Sequence, residues 1–212
     1  MRASSRSLSL DPVELLTYQG IWELVDSRIV AVVGTRNPTG EGVRNTDALV
    51  RHLVTSGFTI ASGLAAGIDT AAHRAAIDAG GHTIAVIGTP LGESYPRENA
   101  ELQAKLAREH LVVSQVPIEK YARQTWRENR LFFPARNVTM SALSEATIIV
   151  EAGPSSGTLI QARAALAQRR PLFILASCFD RPELTWPREL EQQGAVRLDH
   201  FEQLRDALAA PL

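Results

Sequence analysis

The chain has 212 residues, of which 45% are hydrophobic and 21% charged. That length and balance suit one full-size folded domain with a short appendage, and exclude a disordered chain, a coiled coil and a disulfide scaffold. The 22 basic and 23 acidic side chains leave a net charge of −1, which excludes bulk coating of nucleic acid but leaves room for a local basic site.

Taken in chain order, residues 1–20 read as a polar arm and a short helix at Pro12–Tyr18, appended to a main domain over 21–212. Six strands are then predicted: Ile29–Val33, Thr59–Ser62, Thr83–Ile87, Leu111–Gln115, Thr147–Val150 and Leu172–Leu175. Most are continuous apolar runs, the pattern of strands buried on both faces of a parallel sheet. Helical patterns at Glu41–Ser56, Thr70–Ala79, Glu98–Glu109 and Thr158–Gln168 separate most of them, and Asp199–Ala209 reads as a closing helix. In the first of these, Leu49, Val50, Leu53 and Val54 form the apolar stripe, and Gly57 stands where a glycine ends a helix. The alternation predicts an open, doubly wound α/β sheet, mostly parallel, with helices on both faces. The stretch Pro117–Asn137 breaks the rhythm; connections of that length are functional or partly helical. The single Cys178 permits neither an internal disulfide nor a structural zinc site and predicts a reducing, cytoplasmic setting. The N-terminus has no signal-peptide core, and no window approaches about 18 uninterrupted apolar residues, so no membrane contact is expected.

Ligands of open α/β sheets bind beyond the carboxyl ends of strands, and the turn residues of this chain gather there. The loops are Gly34-Thr35-Arg36, Ser62-Gly63 through Gly67 to Asp69, Gly88-Thr89-Pro90-Leu91-Gly92, and Gly153-Pro154-Ser155-Ser156-Gly157-Thr158. Each glycine either makes a tight turn or lets the backbone approach a ligand, and helix N-termini offer free N–H groups to anions. Four such loops on one edge predict a phosphate-binding rim. No G-x-G-x-x-G fingerprint follows the first strand and no Walker lysine motif occurs, so neither a dinucleotide nor another cofactor is expected. Arg36 is the candidate for gripping phosphate. Asp69 is expected to cap a helix, with His73 four residues on contacting it to brace the loop rather than to catalyse.

The stretch Glu119–Asn137 carries Lys120, Arg123, Arg127, Arg130 and Arg136 against only Glu119 and Glu128, interleaved with Tyr121, Trp126, Phe132 and Phe133. Cations that track phosphates beside aromatic faces for bases are the chemistry of single-strand binding. The alternative is that Phe132 and Phe133 simply pack beneath the loop. Arg136 and Asn137 are read as ligand contacts.

These residues carry a family resemblance. Val32-Val33-Gly34-Thr35-Arg36, Ser62 through Asp69 with Ala72-His73, and Ala85 through Leu91 with Tyr95-Pro96 and Asn99 resemble the DNA-processing protein A (DprA, or Smf) family. Phe133-Pro134-Ala135-Arg136-Asn137, Ser141 through Ser144, Val150-Glu151-Ala152 and Ser156 through Ile160 continue the resemblance in order and spacing. It implies an extended Rossmann-like domain that binds single-stranded DNA, protects it during natural transformation and aids loading of a RecA-type recombinase, without catalysis and with a tendency to form homodimers. By position it makes Arg36 and Arg136 the phosphate-gripping arginines, with the backbone of Gly34, Ser62, Gly63, Ser156 and Gly157 in the same pocket. With the basic stretch and the strand-end loops, the expected phosphate-binding set becomes Gly34, Thr35, Arg36, Ser62, Gly63, Gly67, Arg127, Arg130, Arg136, Asn137, Ser155, Ser156, Gly157 and Thr158.

The sequence departs from the family in four respects, the mildest being Thr35 where the family often has serine. Val138 stands where a second arginine usually follows the Arg-Asn pair, the N-terminal helical domain is reduced to an arm, and no winged-helix tail precedes Leu212. The competing expectation is a small-nucleotide sensor or hydrolase related to the lysine-decarboxylase-like phosphoribohydrolases. Those carry carboxylates after their Gly-Thr motif, whereas Ile160-Gln161 stands here, leaving Glu151 as the one candidate acid or base.

Overall fold

A computed structural model describes residues 15–154 and 156–209. Its centre is one eight-stranded sheet built from β1 (Thr17–Gly20), β2 (Ile29–Gly34), β3 (Thr59–Ser62), β4 (Thr83–Ile87), β5 (Leu111–Ser114), β6 (Ala146–Glu151), β7 (Leu172–Leu175) and β8 (Val196–Leu198). The spatial order is β1-β5-β4-β3-β2-β6-β7-β8. Strands β2 to β8 run parallel, and β1 alone pairs antiparallel, with Tyr18 opposite Val113. The six predicted strands are present with ends shifted by a residue at most.

The helices are α1 (Gly40–Thr55), α2 (Ile68–Asp78), α3 (Ala100–Glu109), α4 (Ile118–Arg123), α5 (Trp126–Asn129), α6 (Phe132–Leu143), α7 (Thr158–Ala167), α8 (Trp186–Glu191) and α9 (Glu202–Ala209). Strand residues alternate between the two faces. Ala31, Val33, Ile149 and Ile174 pack with Met140 of α6, Leu159 and Ala162 of α7 and Trp186 of α8. Val30, Val32, Ile148 and Phe173 pack with Leu49 and Leu53 of α1, Ile68 and Ala72 of α2 and Leu204 of α9. Both faces of the sheet are covered, which is why the strands read as uninterrupted apolar runs. Helix α1 ends as its glycine implies: Gly57 has φ +83°, and the Phe58 N–H returns to the Leu53 carbonyl at 3.0 Å. The irregular stretch after β5 is helical, with Thr125 and Glu128 forming a reciprocal capping box on α5. None of the described helices is long and apolar enough to cross a membrane.

The N-terminal expectation needs correction. Residues 12–14 of the expected Pro12–Tyr18 helix lie outside the described residues, and Thr17 and Tyr18 belong to a strand. The open edge of β5 offers a row of unpaired backbone groups, and a Thr-Tyr pair suits a strand better than a helix. The Thr17 hydroxyl donates to the Ser114 carbonyl at 3.1 Å, and the Ile21 N–H donates to the His110 carbonyl at 2.7 Å. Residues 17–20 are thus part of the sheet rather than of an appendage.

Candidate nucleic-acid interface

The strand order reverses between β2 and β6, from which connections run outward in both directions. Such a switch point opens a crevice beyond the carboxyl ends of the two strands, because their following loops diverge to opposite faces. Here the crevice is a cavity of about 620 Å³. Val33, Gly34, Thr35 and Arg36 line it after β2; Gly153, Ser156, Gly157, Thr158, Ile160 and Gln161 line it after β6. Trp126, Arg130, Phe133, Arg136 and Asn137 come to it from α5 and α6, and Ala65, Asp69 and Tyr95 from the neighbouring strand ends.

The rim loops are locked to one another. The Thr35 N–H donates to the Glu151 carbonyl at 2.7 Å, and the Ile68 N–H donates to the Thr35 carbonyl at 3.1 Å. Gly67 makes this possible: at φ +78° and ψ −125° it turns the chain against the Thr35 and Arg36 carbonyls, and a Cβ there would sit 2.6 Å from the Arg36 oxygen. On the far side the Thr158 hydroxyl donates to the Gly34 carbonyl at 3.1 Å, and Asn137 Nδ2 donates to the Gly157 carbonyl at 3.2 Å. Among the described residues, nothing lies within 4 Å of the position a Gly157 Cβ would take, so a ligand can approach the start of α7 closely.

The two expected phosphate arginines are placed differently. Arg36 is exposed, and no hydrogen bond or ion pair engages its guanidinium among the described residues. Arg136 is 5% exposed and forms part of the floor. Its Nη1 donates to the Val86 carbonyl at 3.1 Å, its guanidinium fills the space a Gly63 side chain would need, and its Nε has no partner among the described residues. Asp69, 6% exposed, lines the same cavity near enough to feel the charge of Arg136, with no ion pair within 4 Å between them. Burial pushes the Asp69 carboxyl up, opposed by the positive charge of Arg136 and the Ala65 N–H; burial pushes Arg136 down, opposed by Asp69. The two groups make the floor polar, while Arg36 and Arg130 are exposed cations on the cavity wall.

Asp69 and His73 do not form the expected contact. Gly67 is the cap residue of α2, and Asp69 lies in its first turn, where its Oδ2 accepts from Ala65 N at 3.4 Å. Its contact with the loop is this one bond, and the histidine takes no part in it. His73 is fully buried and turns to β4, with Nδ1 2.7 Å from the Thr83 hydroxyl oxygen. That hydroxyl donates to the Ile60 carbonyl, so it accepts from a protonated Nδ1. Burial, aided by the charges of His110 and Arg136, pushes the His73 pKa down to about 3. The unfolded chain therefore binds one more proton than the folded chain between pH ~6.5 and ~3, and this contribution to stability is complete above ~6.5 and falls as the pH drops. The expected slope is up to about 1.4 kcal/mol per pH unit. Asp69 titrates in the opposite sense, so the measurement compares denaturant midpoints of the wild type and His73→Gln at matched pH values from 7 to 4.5. The variant is expected to lose stability less steeply; parallel curves refute the assignment.

Other expected site residues are distributed as follows. Gly34, Thr35, Arg36, Arg130, Arg136, Asn137, Ser156, Gly157 and Thr158 line the large cavity. Gly63 lines an adjoining cavity of about 270 Å³ with Arg36, Tyr95, Phe133 and Glu98. Ser62 is fully buried and donates to the Val32 carbonyl at 2.7 Å, so its hydroxyl faces the sheet rather than a ligand. Gly67 shapes the rim without lining either cavity, and Arg127 is exposed on α5 and lines neither. Ser155 lies outside the described residues. Glu151 is not part of either wall: Oε2 accepts from the Thr39 N–H and hydroxyl, both at 3.0 Å, and Oε1 pairs with Arg181 at 3.4 Å. Its carboxylate is committed to holding the start of α1.

The aromatic residues divide between packing and display. Phe133 packs beneath Gly88 and against Tyr95, at 5.3 Å between centroids, and still lines the cavity. Phe132 packs against Tyr121. Trp126 is 59% exposed, and the Arg130 guanidinium lies 5.0 Å from its ring centroid, a cation–π pair at the cavity mouth. Among residues not expected at the site, Tyr95 carried a usable signal, since it follows the glycine-rich end of β4. Gln161 carried one too, standing where the phosphoribohydrolases have carboxylates after their Gly-Thr motif, whereas Met140 carried none.

Comparison with known proteins agrees with the architecture. The family model described as DNA recombination-mediator protein A matches residues 4–209. The chain is 39% identical over 199 residues to the DNA processing protein DprA of Bacillus subtilis, covering 92% of this chain and 65% of that protein. It is 41% identical over 181 residues to the Smf protein of Synechocystis, covering 85% of this chain and 44% of the relative, so it spans about half to two thirds of these proteins. The crystal structure of DNA processing protein A from Streptococcus pneumoniae superposes with a TM-score of 0.79 at 35% identity, covering 90% of this chain and 65% of that one. DNA processing protein A from Helicobacter pylori, described by its single-stranded DNA binding mode, superposes with a TM-score of 0.78 at 30% identity, covering 94% and 89%. A molybdenum cofactor binding protein from Rippkaea orientalis shares the fold alone, at 18% identity and a TM-score of 0.62. The match along nearly the whole chain, on a sheet of the same architecture, places this chain in the DNA recombination-mediator protein A family.

Proposed function

We propose that this chain binds single-stranded DNA at the β2–β6 crevice, as part of DNA processing and recombination. The observation that carries the reading is the cavity mouth itself: an uncommitted Arg36, an Arg130–Trp126 stack and the open start of α7 converge on one opening. Cations there hold phosphates, and the exposed indole offers a face to a base. The commitment of Glu151 to Thr39 and Arg181 supports a binding protein over a hydrolase. The buried free thiol of Cys178 is consistent with a reducing cytoplasm. Self-association and delivery of the strand to a RecA-type recombinase form the finer part of the proposal, and rest on the family alone.

The test is an anisotropy titration with oligothymidylate, its double-stranded counterpart and mononucleotides. Tight binding of the single strand that weakens steeply with salt is expected; preference for a mononucleotide overturns the reading. Trp126→Ala is expected to cost about 1–3 kcal/mol of single-strand affinity. Oligothymidylate should also quench the tryptophan emission of the wild type, and that quenching should shrink sharply in the variant. Unchanged quenching would show that Trp126 does not stack.

A further inference from the structure

Glu151 holds the loop that carries Arg36 at both of its ends. The loop runs from Thr35, just past β2, to Thr39, the cap residue of α1. At its start the Thr35 N–H donates to the Glu151 backbone carbonyl at 2.7 Å. At its end Oε2 of the same residue accepts from the Thr39 N–H and from the Thr39 hydroxyl, both at 3.0 Å. That hydroxyl in turn accepts from the Gly42 N–H at 3.0 Å, so the carboxylate is tied into the first turn of the helix. Between the two ends, the Arg36 side chain is exposed and engages no hydrogen bond or ion pair among the described residues.

Two further features accommodate this grip. The pairing of β2 with β6 slips between Val33 and Gly34, so that Gly34 stands opposite Glu151 rather than Val150. An extra residue of this kind re-aims the side chains beside it. Val150 packs with α1 and Ala152 on the opposite face of the sheet, and Glu151 between them reaches α1 as well. The second feature is Gly42, where a Cβ would collide with Glu151 Oε2. Glycine weakens a helix relative to alanine, and here its missing side chain is the room that the carboxylate occupies. On its other oxygen Glu151 pairs with Arg181 at 3.4 Å, which offsets part of a negative charge that would otherwise repel a phosphate. We propose that Glu151 is a positioning residue for strand binding: it fixes the Thr35–Thr39 loop from both ends, so that Arg36 meets a phosphate from a loop already ordered. This rests on the single-strand reading and adds to it an acidic residue that strengthens the binding of an anion.

The experiment measures oligothymidylate affinity at low salt for the wild type, Gly42→Ala and Glu151→Gln, each with Arg36 in place and with Arg36→Ala. Gly42→Ala keeps the charge of Glu151 and improves the helix, but its methyl group displaces the carboxylate. Its Tm is expected to stay close to that of the wild type while its affinity falls about three- to tenfold, the cost of ordering the loop and its long side chain on binding. Glu151→Gln keeps the shape but has one acceptor oxygen to serve both Thr39 and Arg181. It also removes a negative charge from beside a phosphate site, so a purely electrostatic role predicts tighter binding and the positioning role predicts weaker binding. With Arg36→Ala, neither substitution is expected to weaken binding further, because the loop then has no cation to position. Tighter or unchanged binding in the two variants, or the same loss with and without Arg36, overturns the proposal. A Gly42→Ala protein that fails to fold leaves Glu151→Gln and its cycle with Arg36→Ala to decide. If the wild type binds and the cycle shows no coupling, the positioning role falls and the single-strand reading stands; if the wild type does not bind, both fall.

Discussion

Gly67→Ala is expected to destabilise the fold by about 2–4 kcal/mol, a sum of backbone strain of about 1–3 kcal/mol and the displacement forced by overpacking. Gly67 holds φ +78° and ψ −125°, a region essentially closed to residues with a Cβ. A methyl group there would also meet the carbonyls of Thr35 and Arg36, which are backbone and have no rotamer to escape into. Gly57 provides the control. It too has a positive φ, +83°, but nothing among the described residues lies within 4 Å of its would-be Cβ. Gly57→Ala should therefore cost only about 1–2 kcal/mol, the left-handed penalty alone. For a domain of this size each kcal/mol moves the Tm by roughly 2–4 °C, so the two variants are separable by calorimetry. If Gly67→Ala is no worse than Gly57→Ala, the interlock between the β2 and β3 loops is not what holds the rim.

The second large effect concerns binding. Arg36→Ala is expected to weaken single-strand affinity by about 10- to 100-fold, corresponding to loss of a charge-assisted contact of about 1.5–3 kcal/mol. The slope of log affinity against log salt should become shallower by about 0.7, the value for one phosphate contact on a single strand. Arg51 makes a suitable control, because it is an exposed arginine already paired with Asp47 at 2.8 Å on α1 and lines neither cavity. Arg51→Ala should leave both affinity and slope unchanged. Equal behaviour of the two variants would remove Arg36 from the interface. Arg136 makes a poorer probe despite its place beside the motif glycines. Removing its side chain would leave the Asp69 carboxylate buried without its countercharge, and lost binding could not be separated from lost folding.

The two arginines show where reading the sequence succeeds and where it stops. Arg36 follows β2 directly, and a residue just past a buried parallel strand has one place to go: the carboxyl edge of the sheet. Its neighbourhood is set by local sequence, so its accessibility was legible. Arg136 sits in a stretch equally rich in cations, but its burial depends on Gly63 after β3, Val86 in β4 and Asp69 in α2. None of these is near it in the chain. Likewise, helical spacing puts Asp69 and His73 on one face, yet their surroundings are chosen by what lies opposite: the Ala65 N–H and the charge of Arg136 for one, and the Thr83 hydroxyl for the other.

The strands follow the same division. Those from β2 to β7 announce themselves because burial on both faces demands continuous apolar residues. The edge strands β1 and β8 are short and partly exposed, with Tyr18 and Val196 facing solvent, so composition leaves them unmarked. What the sequence by itself determined is the α/β alternation, the glycine-bearing strand ends and the cation that follows β2, since all three depend on neighbours within a few residues. What only the tertiary structure decided is which loops share the crevice, which arginine is buried in its floor, and that Met140 and Gln161 line its inner wall. The switch in strand order between β2 and β6 assembles that crevice from residues more than a hundred positions apart, and no local pattern encodes such a meeting.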